Sequence, residues 1–149
     1  MKTARETRLT AAAFGTAAAC GLLALRRRYT VITVTGRSMS PTYADGDRLL
    51  VRRTRAHRVS CQEVVVFRMP PQHRKNGLRW LVKRTAAVPG DPVPEDMREA
   101  AGSDRLVPPG RLLVRGDNPH SLDSRHFGYV PAADVLGIAV RTLRRSGDA

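Results

Sequence analysis

Three short segments concentrate the side chains that could carry out nucleophilic or acid–base chemistry. Residues 36–42 read GRSMSPT and hold Ser38, and residues 80–88 read WLVKRTAAV and hold Lys83. Residues 116–131 read GDNPHSLDSRHFGYVP and combine acids, hydroxyls, an amide and an arginine. A serine attacks a carbonyl only when a base takes its proton, and burial can lower a lysine pKa enough to make it that base. The sequence thus offers a nucleophile, a base and a polar segment that could brace them.

Each segment also has a simpler interpretation when it is taken alone. A serine in a loop is usually a turn residue, and Lys83 could point outward from an edge strand. The polar segment could be a loop closed by an aspartate–arginine pair. Gly36 would permit close approach of a substrate backbone or an oxyanion to the chain. Each segment alone therefore leaves open whether it is catalytic or structural.

Short β-branched and apolar runs, separated by turn residues, contain or border these segments. We predict strands at residues 29–35, 48–53, 63–68, 80–88, 111–115 and 135–143. Turn residues such as the PGD at 89–91 end them, and residues 92–107 are polar with one possible helical turn. Several short strands of this kind are typical of a β-rich domain. The sequence therefore predicts one mainly β domain over residues 29–145 and a frayed tail at 146–149.

The N-terminal segment, residues 1–28, has a different pattern. Residues 9–25 carry no charge across 17 positions and are flanked by basic residues on both sides. This length is at the short end for a transmembrane helix, and we predict one apolar helix that anchors the chain in a membrane. Three alternatives remain open: a cleaved signal peptide, a soluble or peripheral helix, and a lipid-attachment site at Cys20.

The chain of 149 residues carries 26 Lys and Arg against 13 Asp and Glu, a net charge of +13. Residues 26–85, directly after the apolar segment, hold fifteen basic and three acidic residues. This surplus indicates attraction to anionic membrane lipids, although arginine-rich codon usage would produce it too. The aromatic content of 5% weakens a single-strand nucleic-acid reading. Two cysteines alone form neither a disulfide scaffold nor a four-ligand zinc site, and we expect no metal or cofactor.

Together, and in this order, the three segments resemble the motifs of type I signal peptidases, the membrane peptidases with a Ser/Lys dyad. GRSMSPT matches the nucleophile motif with Ser38, and LVKRTAAVPGD at residues 81–91 matches the base motif with Lys83. The segment at 116–131 matches the third signature of the family. The resemblance covers about residues 29–143 and implies a compact β-rich catalytic domain.

The resemblance also implies a role for each motif position. Neutral Lys83 would remove the Ser38 proton, and Ser121 would orient Lys83. Backbone groups around Gly36, Ser38 and Met39 would form the oxyanion and substrate-backbone region. The other supporting positions are Asp117 and Asn118, in the turn that holds the segment, and Asp123 and Arg125, as a pair.

The resemblance implies an endopeptidase that removes N-terminal signal or pro-sequences from exported proteins. It would lie in the cell membrane as a single-pass protein with an extracytoplasmic catalytic domain, and its partners would be preproteins and membrane lipids. Only 24 residues separate Asp91 from Gly116, where bacterial members often carry a large insertion. This compact form is also similar to mitochondrial inner-membrane peptidases and to the peptidases that mature nickel superoxide dismutase.

Two alternatives follow from these observations. One is a cytoplasmic maturation peptidase for a single partner, such as a nickel superoxide dismutase precursor. The other is a nucleic-acid-binding, self-cleaving regulator, a class that shares the dyad. Such regulators need a helix-turn-helix before the protease domain, and residues 1–28 are too short and too apolar for one. We therefore expect no nucleic-acid partner, and the sequence leaves the physiological substrate and the oligomeric state open.

Overall fold

The structure is a computed structural model that describes residues 21, 25–70 and 80–144. Its strands are β1 (Tyr29–Thr33), β2 (Arg48–Arg53), β3 (Val64–Arg68), β4 (Trp80–Ala87), β5 (Arg111–Arg115), β6 (Val130–Pro131) and β7 (Val135–Arg144). Two four-residue helices, α1 (Arg98–Ala101) and α2 (Ser124–Phe127), accompany 3-10 turns at Ala56–Arg58, Glu95–Met97 and Ala132–Asp134. The predicted mainly β domain is confirmed.

All seven strands join one antiparallel sheet in the order β1-β2-β7-β3-β4-β5-β6. The last strand, β7, lies between β2 and β3. The C-terminal strand therefore joins the β1–β2 pair to the rest of the sheet. The six predicted strands are present with ends within two residues of the prediction. The sequence did not indicate β6, because it has two residues and one of them is a proline.

Apolar side chains from the sheet pack into three buried clusters. Strand β3 is central, and Val64, Val65, Val66 and Phe67 are all buried on its two faces. A strand buried on both faces reads as a continuous apolar run and not as an alternating one. Its two neighbours, β4 and β7, are held against this rigid centre. Strand β4, which carries Lys83, therefore lies directly beside the buried centre of the sheet.

The predicted apolar segment at residues 9–25 lies outside the described residues except at 21 and 25. Residues 25–28, which directly precede β1, are helical and exposed. Within the described part of the chain, no helix has the length and apolar character needed to cross a membrane. The predicted tail at 146–149 also lies outside the described residues.

Strand β4 has two strand neighbours along only part of its length. Residues 80–84 pair with β3, whereas pairing with β5 begins at Arg84 opposite Arg115. Among the described residues, no strand pairs with the other edge of residues 80–83. An open length of sheet edge therefore leads up to Lys83.

Candidate active site

Lys83 lies on β4 opposite Val65 of β3 and is only 1% exposed. Its Nζ donates a hydrogen bond of 2.7 Å to the hydroxyl of Ser121. No carboxylate of the described residues lies within ion-pair distance of this amine. The lysine therefore points into the domain, and the simpler prediction of an outward-facing side chain is wrong.

The environment of Lys83 favours the neutral amine. Burial lowers the pKa of Lys83 from 10.5 to about 8, and the charge of Asp123 opposes part of this shift. An amine with this pKa is partly neutral at pH 7–8 and can accept a proton there. The site thus holds a group able to act as a general base near neutral pH.

Ser38 lies in the loop between β1 and β2 and is half-buried. Its carbonyl accepts a hydrogen bond of 3.1 Å from the N–H of Asn118, whose side-chain amide donates 3.1 Å to the carbonyl of Arg37. Asn118 thus ties the loop of the first segment to the third segment, as a supporting residue would. Ser38 and Lys83 share no hydrogen bond in this structure.

Gly116 separates the Ser38 loop from Ser121, and the sequence prediction did not include it among the site residues. A Cβ at this position would overlap the Ser121 hydroxyl and lie 2.6 Å from the carbonyl oxygen of Ser38. Because Gly116 has no side chain, Ser121, which is bonded to Lys83, and the backbone of Ser38 can both pack against it. A glycine at the head of the polar segment was the only sequence signal for this role.

The other residues of the predicted oxyanion region differ in what they offer a substrate. Met39 is completely buried and packs in the core. Gly36 has φ +84°, which explains the glycine, and its N–H already donates 2.7 Å to the carboxylate of Asp45. The Gly36 N–H is therefore occupied within the loop, which the sequence did not indicate.

The predicted pair of Asp123 and Arg125 is present. Asp123 is completely buried and accepts two hydrogen bonds from the Arg125 guanidinium, at 2.9 and 2.8 Å, and one of 2.8 Å from the N–H of Gly116. Burial acts to raise the pKa of Asp123, but the bonds from Arg125 and Gly116 outweigh it and hold the pKa below its ordinary value. The ionised carboxylate thereby fixes Gly116 beside Ser121.

Asp117 makes a contact that the sequence prediction missed. Its carboxylate accepts 2.9 and 2.7 Å hydrogen bonds from Arg84, which also donates 2.9 Å to the carbonyl of Gln62. The hydrogen bond from Arg84, with a further one from Thr42, lowers the pKa of Asp117 below its ordinary value. Asp117 thus ties β4 to the loop that carries Ser38 and does more than close its own turn. Strand alternation had indicated only that Arg84 faces away from Lys83.

Comparisons with known proteins show the family to which the chain belongs. The family model described as "Signal peptidase, peptidase S26" matches residues 7–98 and 94–143. The chain is 34% identical over 128 residues to mitochondrial ATP-independent inner membrane protease subunit 1a of Arabidopsis thaliana, covering 80% of this chain and 74% of that protein. It is 26% identical over 142 residues to signal peptidase I V of Bacillus subtilis (strain 168), covering 70% and 80%. It is also 33% identical over 110 residues to mitochondrial inner membrane protease subunit 1 of Schizosaccharomyces pombe (strain 972 / ATCC 24843), covering 69% and 66%. The chain therefore belongs to the type I signal peptidase family, peptidase S26.

Proposed function

We propose that this protein is a serine endopeptidase that removes N-terminal signal or pro-sequences from exported proteins, with Ser38 as nucleophile and Lys83 as general base. The observation that carries the proposal is the buried Lys83 amine, 2.7 Å from the Ser121 hydroxyl. A lysine that serves the fold alone would be paired with a carboxylate, because an unpaired buried charge is costly. The lowered pKa of Lys83 and its neutral partner, the Ser121 hydroxyl, suit a proton-transfer role better than a structural one.

The reaction follows from these groups. Neutral Lys83 accepts the proton of the Ser38 hydroxyl while Oγ bonds to the scissile carbonyl carbon, and the Ser38 N–H donates to the oxyanion. The Lys83 ammonium then gives its proton to the departing amine as the C–N bond breaks. A water molecule, deprotonated by Lys83, hydrolyses the ester and releases the carboxyl product. Ser121 holds Nζ in place throughout.

Substrate binding brings the nucleophile and the base together in this proposal. Catalytic hydrogen bonds are often absent or long in free enzymes and form in the substrate complex. The contact of Asn118 with the Ser38 carbonyl and the small size of Gly116 keep the Ser38 loop next to the segment that holds Ser121. Ser121 in turn is bonded to Lys83. Movement of the Ser38 side chain toward Lys83 would then complete the dyad.

The open edge at residues 80–83 supports an extended substrate. A peptide strand could pair with this edge by main-chain hydrogen bonds, and its carbonyls would be delivered to Lys83. Apolar side chains next to the edge and the nucleophile loop, among them Val34, Met39 and Val82, pack in one cluster. Because alternate residues of a strand face the same side, the side chains at the first and third positions before the cut would both face this buried cluster, which leaves room only for small ones.

The membrane location is part of the proposal. The names of two relatives place those proteins at a mitochondrial inner membrane, which supports a membrane location for this chain. We propose that residues 9–25 are the single anchor and that the catalytic domain lies outside the cytoplasm. The alternative is a maturation peptidase for one partner, and it predicts cleavage of a single pro-sequence and none of a panel of signal peptides.

The proposal is tested with the purified full-length chain and a fluorogenic peptide with alanine at the first and third positions before the cut. We expect cleavage by the wild type, and none by Ser38→Ala or Lys83→Arg, because arginine stays protonated at any working pH. Circular dichroism checks the fold, and Arg105→Lys, an exposed arginine, is the matched control. Near-normal cleavage by Lys83→Arg would overturn the assignment of the base.

A further inference from the structure

An open groove of about 400 Å³ lies between the 3-10 turns at Ala56–Arg58 and Ala132–Asp134. Its floor is apolar and includes Ala56, Leu112 and Val135. The N–H of Ala132 donates 2.8 Å to the carbonyl of Gly110, which joins two of its walls. The volume is within the range of pockets that bind small molecules. The groove is thus preformed and large enough for part of a lipid chain.

The rim of this groove carries basic residues. Arg55, His57 and Arg111 line it, and its lining includes no acidic residue. The Arg111 guanidinium lies 5.3 Å from the centre of the Tyr129 ring. None of the three side chains is in an ion pair with a carboxylate of the described residues. A ligand that complements both floor and rim has an apolar chain and an anionic head.

The groove lies at the end of the sheet where the chain enters the domain. Tyr29, the first residue of β1, pairs with Arg52 near the end of β2, and the groove lining begins at Thr54. The exposed basic residues 26–28 directly precede β1. These arginines and the groove rim therefore share one end of the β1–β2 pair. Clusters of this kind are attracted to anionic lipid headgroups.

We propose that this groove binds an anionic phospholipid, with an acyl chain on the apolar floor and the phosphate at Arg55, His57 and Arg111. An acidic peptide would satisfy the rim but would gain little from the floor. The site is separate from the catalytic groups, since its lining includes neither Ser38 nor Lys83. Lipid binding is therefore independent of the proposed peptidase reaction.

The test uses the full-length chain with Ser38→Ala in non-ionic detergent. Monomeric dihexanoyl phosphatidylglycerol, dihexanoyl phosphatidylcholine, inorganic phosphate and hexaglutamate are titrated in separate arms. Hydrogen–deuterium exchange at residues 54–57 and 110–112 reports binding. We expect protection by phosphatidylglycerol, weaker protection by phosphatidylcholine, and none by phosphate or hexaglutamate.

Variants test the assigned contacts. Arg55→Gln and Arg111→Gln should each weaken phosphatidylglycerol binding about fivefold, the contribution of one arginine at an anionic lipid surface. Ala133→Trp should block the groove without a charge change, and Arg105→Gln, an exposed arginine outside the lining, is the control. Thermal unfolding confirms that each variant folds.

The proposal is overturned if the two phospholipids bind equally, or if folded Arg55→Gln and Arg111→Gln variants bind as tightly as the parent. Protection by phosphate alone would instead identify a free-anion site. Protection by hexaglutamate without phosphatidylglycerol would identify a peptide site. Each of these outcomes leaves the test of Ser38 and Lys83 unaffected.

Discussion

The amine of Lys83 donates a 2.7 Å hydrogen bond to the hydroxyl of Ser121, although the two residues are 38 positions apart in the chain. One lies on the central part of β4 and the other in the loop before α2. Both are buried, so the bond is shielded from solvent. This contact joins two of the three chemical segments of the sequence and holds the proposed base in one orientation.

Peptide cleavage should rise with pH through about 8. Burial lowers the pKa of Lys83 to about 8, and only the neutral amine can accept the Ser38 proton. The measurement is kcat/KM from pH 6 to 10 for the wild type, with circular dichroism at each pH. A profile that is flat over this range, or that falls, would exclude Lys83 as the base.

Ser121→Ala should lower kcat at least tenfold while it lowers the free energy of unfolding by only about 1 kcal/mol, the usual value of one hydrogen bond. The hydroxyl accepts from Lys83 and favours the charged amine, so its loss should move the midpoint of the pH profile to lower pH. The pH profile separates positioning from a structural effect. An unchanged midpoint and an unchanged kcat would remove Ser121 from the site.

Gly116→Ala should abolish activity and destabilise the domain by more than about 2 kcal/mol, the scale of an overpacked core. The new Cβ would overlap the Ser121 hydroxyl and press on the Ser38 carbonyl, 2.6 Å away. Arg105→Lys, a conservative change at an exposed position of the same domain, is the control. Chemical denaturation and peptide cleavage are measured together, and normal activity of Gly116→Ala would contradict the observed packing.

Asp117→Asn should cost more stability than Asp96→Asn, although each carboxylate accepts two hydrogen bonds from one arginine. The side chains of Arg84 and Asp117 are 29% and 16% exposed, against 43% and 48% for Arg115 and Asp96. We expect about 1–3 kcal/mol for the first and less than about 1 kcal/mol for the second, since water screens the exposed pair. Urea unfolding at pH 7 measures both, and equal losses would contradict the argument.

The same Asp117 carboxylate should contribute to acid unfolding. The hydrogen bond from Arg84 lowers its pKa in the folded protein, so its stabilisation is complete above the ordinary value of 3.8 and is lost as pH falls through the lower folded value. The difference in unfolding free energy between wild type and Asp117→Asn should therefore shrink below pH 3.8. A difference that stays constant from pH 7 to pH 2 would contradict this linkage.

Thr85→Val should leave the free energy of unfolding unchanged or raise it by about 1 kcal/mol. The Thr85 hydroxyl is buried and has no hydrogen-bond partner among the described residues, so its removal relieves a desolvation cost. Ser124→Ala is the contrasting variant, because that buried hydroxyl accepts 2.9 Å from the N–H of Val114. We expect Ser124→Ala to lose about 1–2 kcal/mol, and an equal loss in both variants would contradict the comparison.

Local sequence was sufficient to predict most of the secondary structure. The runs that became β2 and β5 are bounded by turn residues, and their predicted limits coincide with the observed strands. Strand formation depends on β-branched and apolar residues and on nearby turns, so it can be recognised within a window of ten residues. Three ordered motifs likewise identified the family, and they offered Ser38 and Lys83 as candidates for the nucleophile and the base.

The tertiary structure decided which way these side chains face and what they touch. Lys83 is buried where its side chain meets Ser121, which lies 38 positions away in the chain, and no local pattern contains that contact. The partnership of Arg84 with Asp117 and the close approach at Gly116 join residues from distant segments. Such contacts depend on how the strands are ordered and packed. The sequence pattern predicts only which residues of a single strand share a face. The residue types therefore indicated a candidate chemistry, whereas the contacts among these side chains depend on the folded sheet.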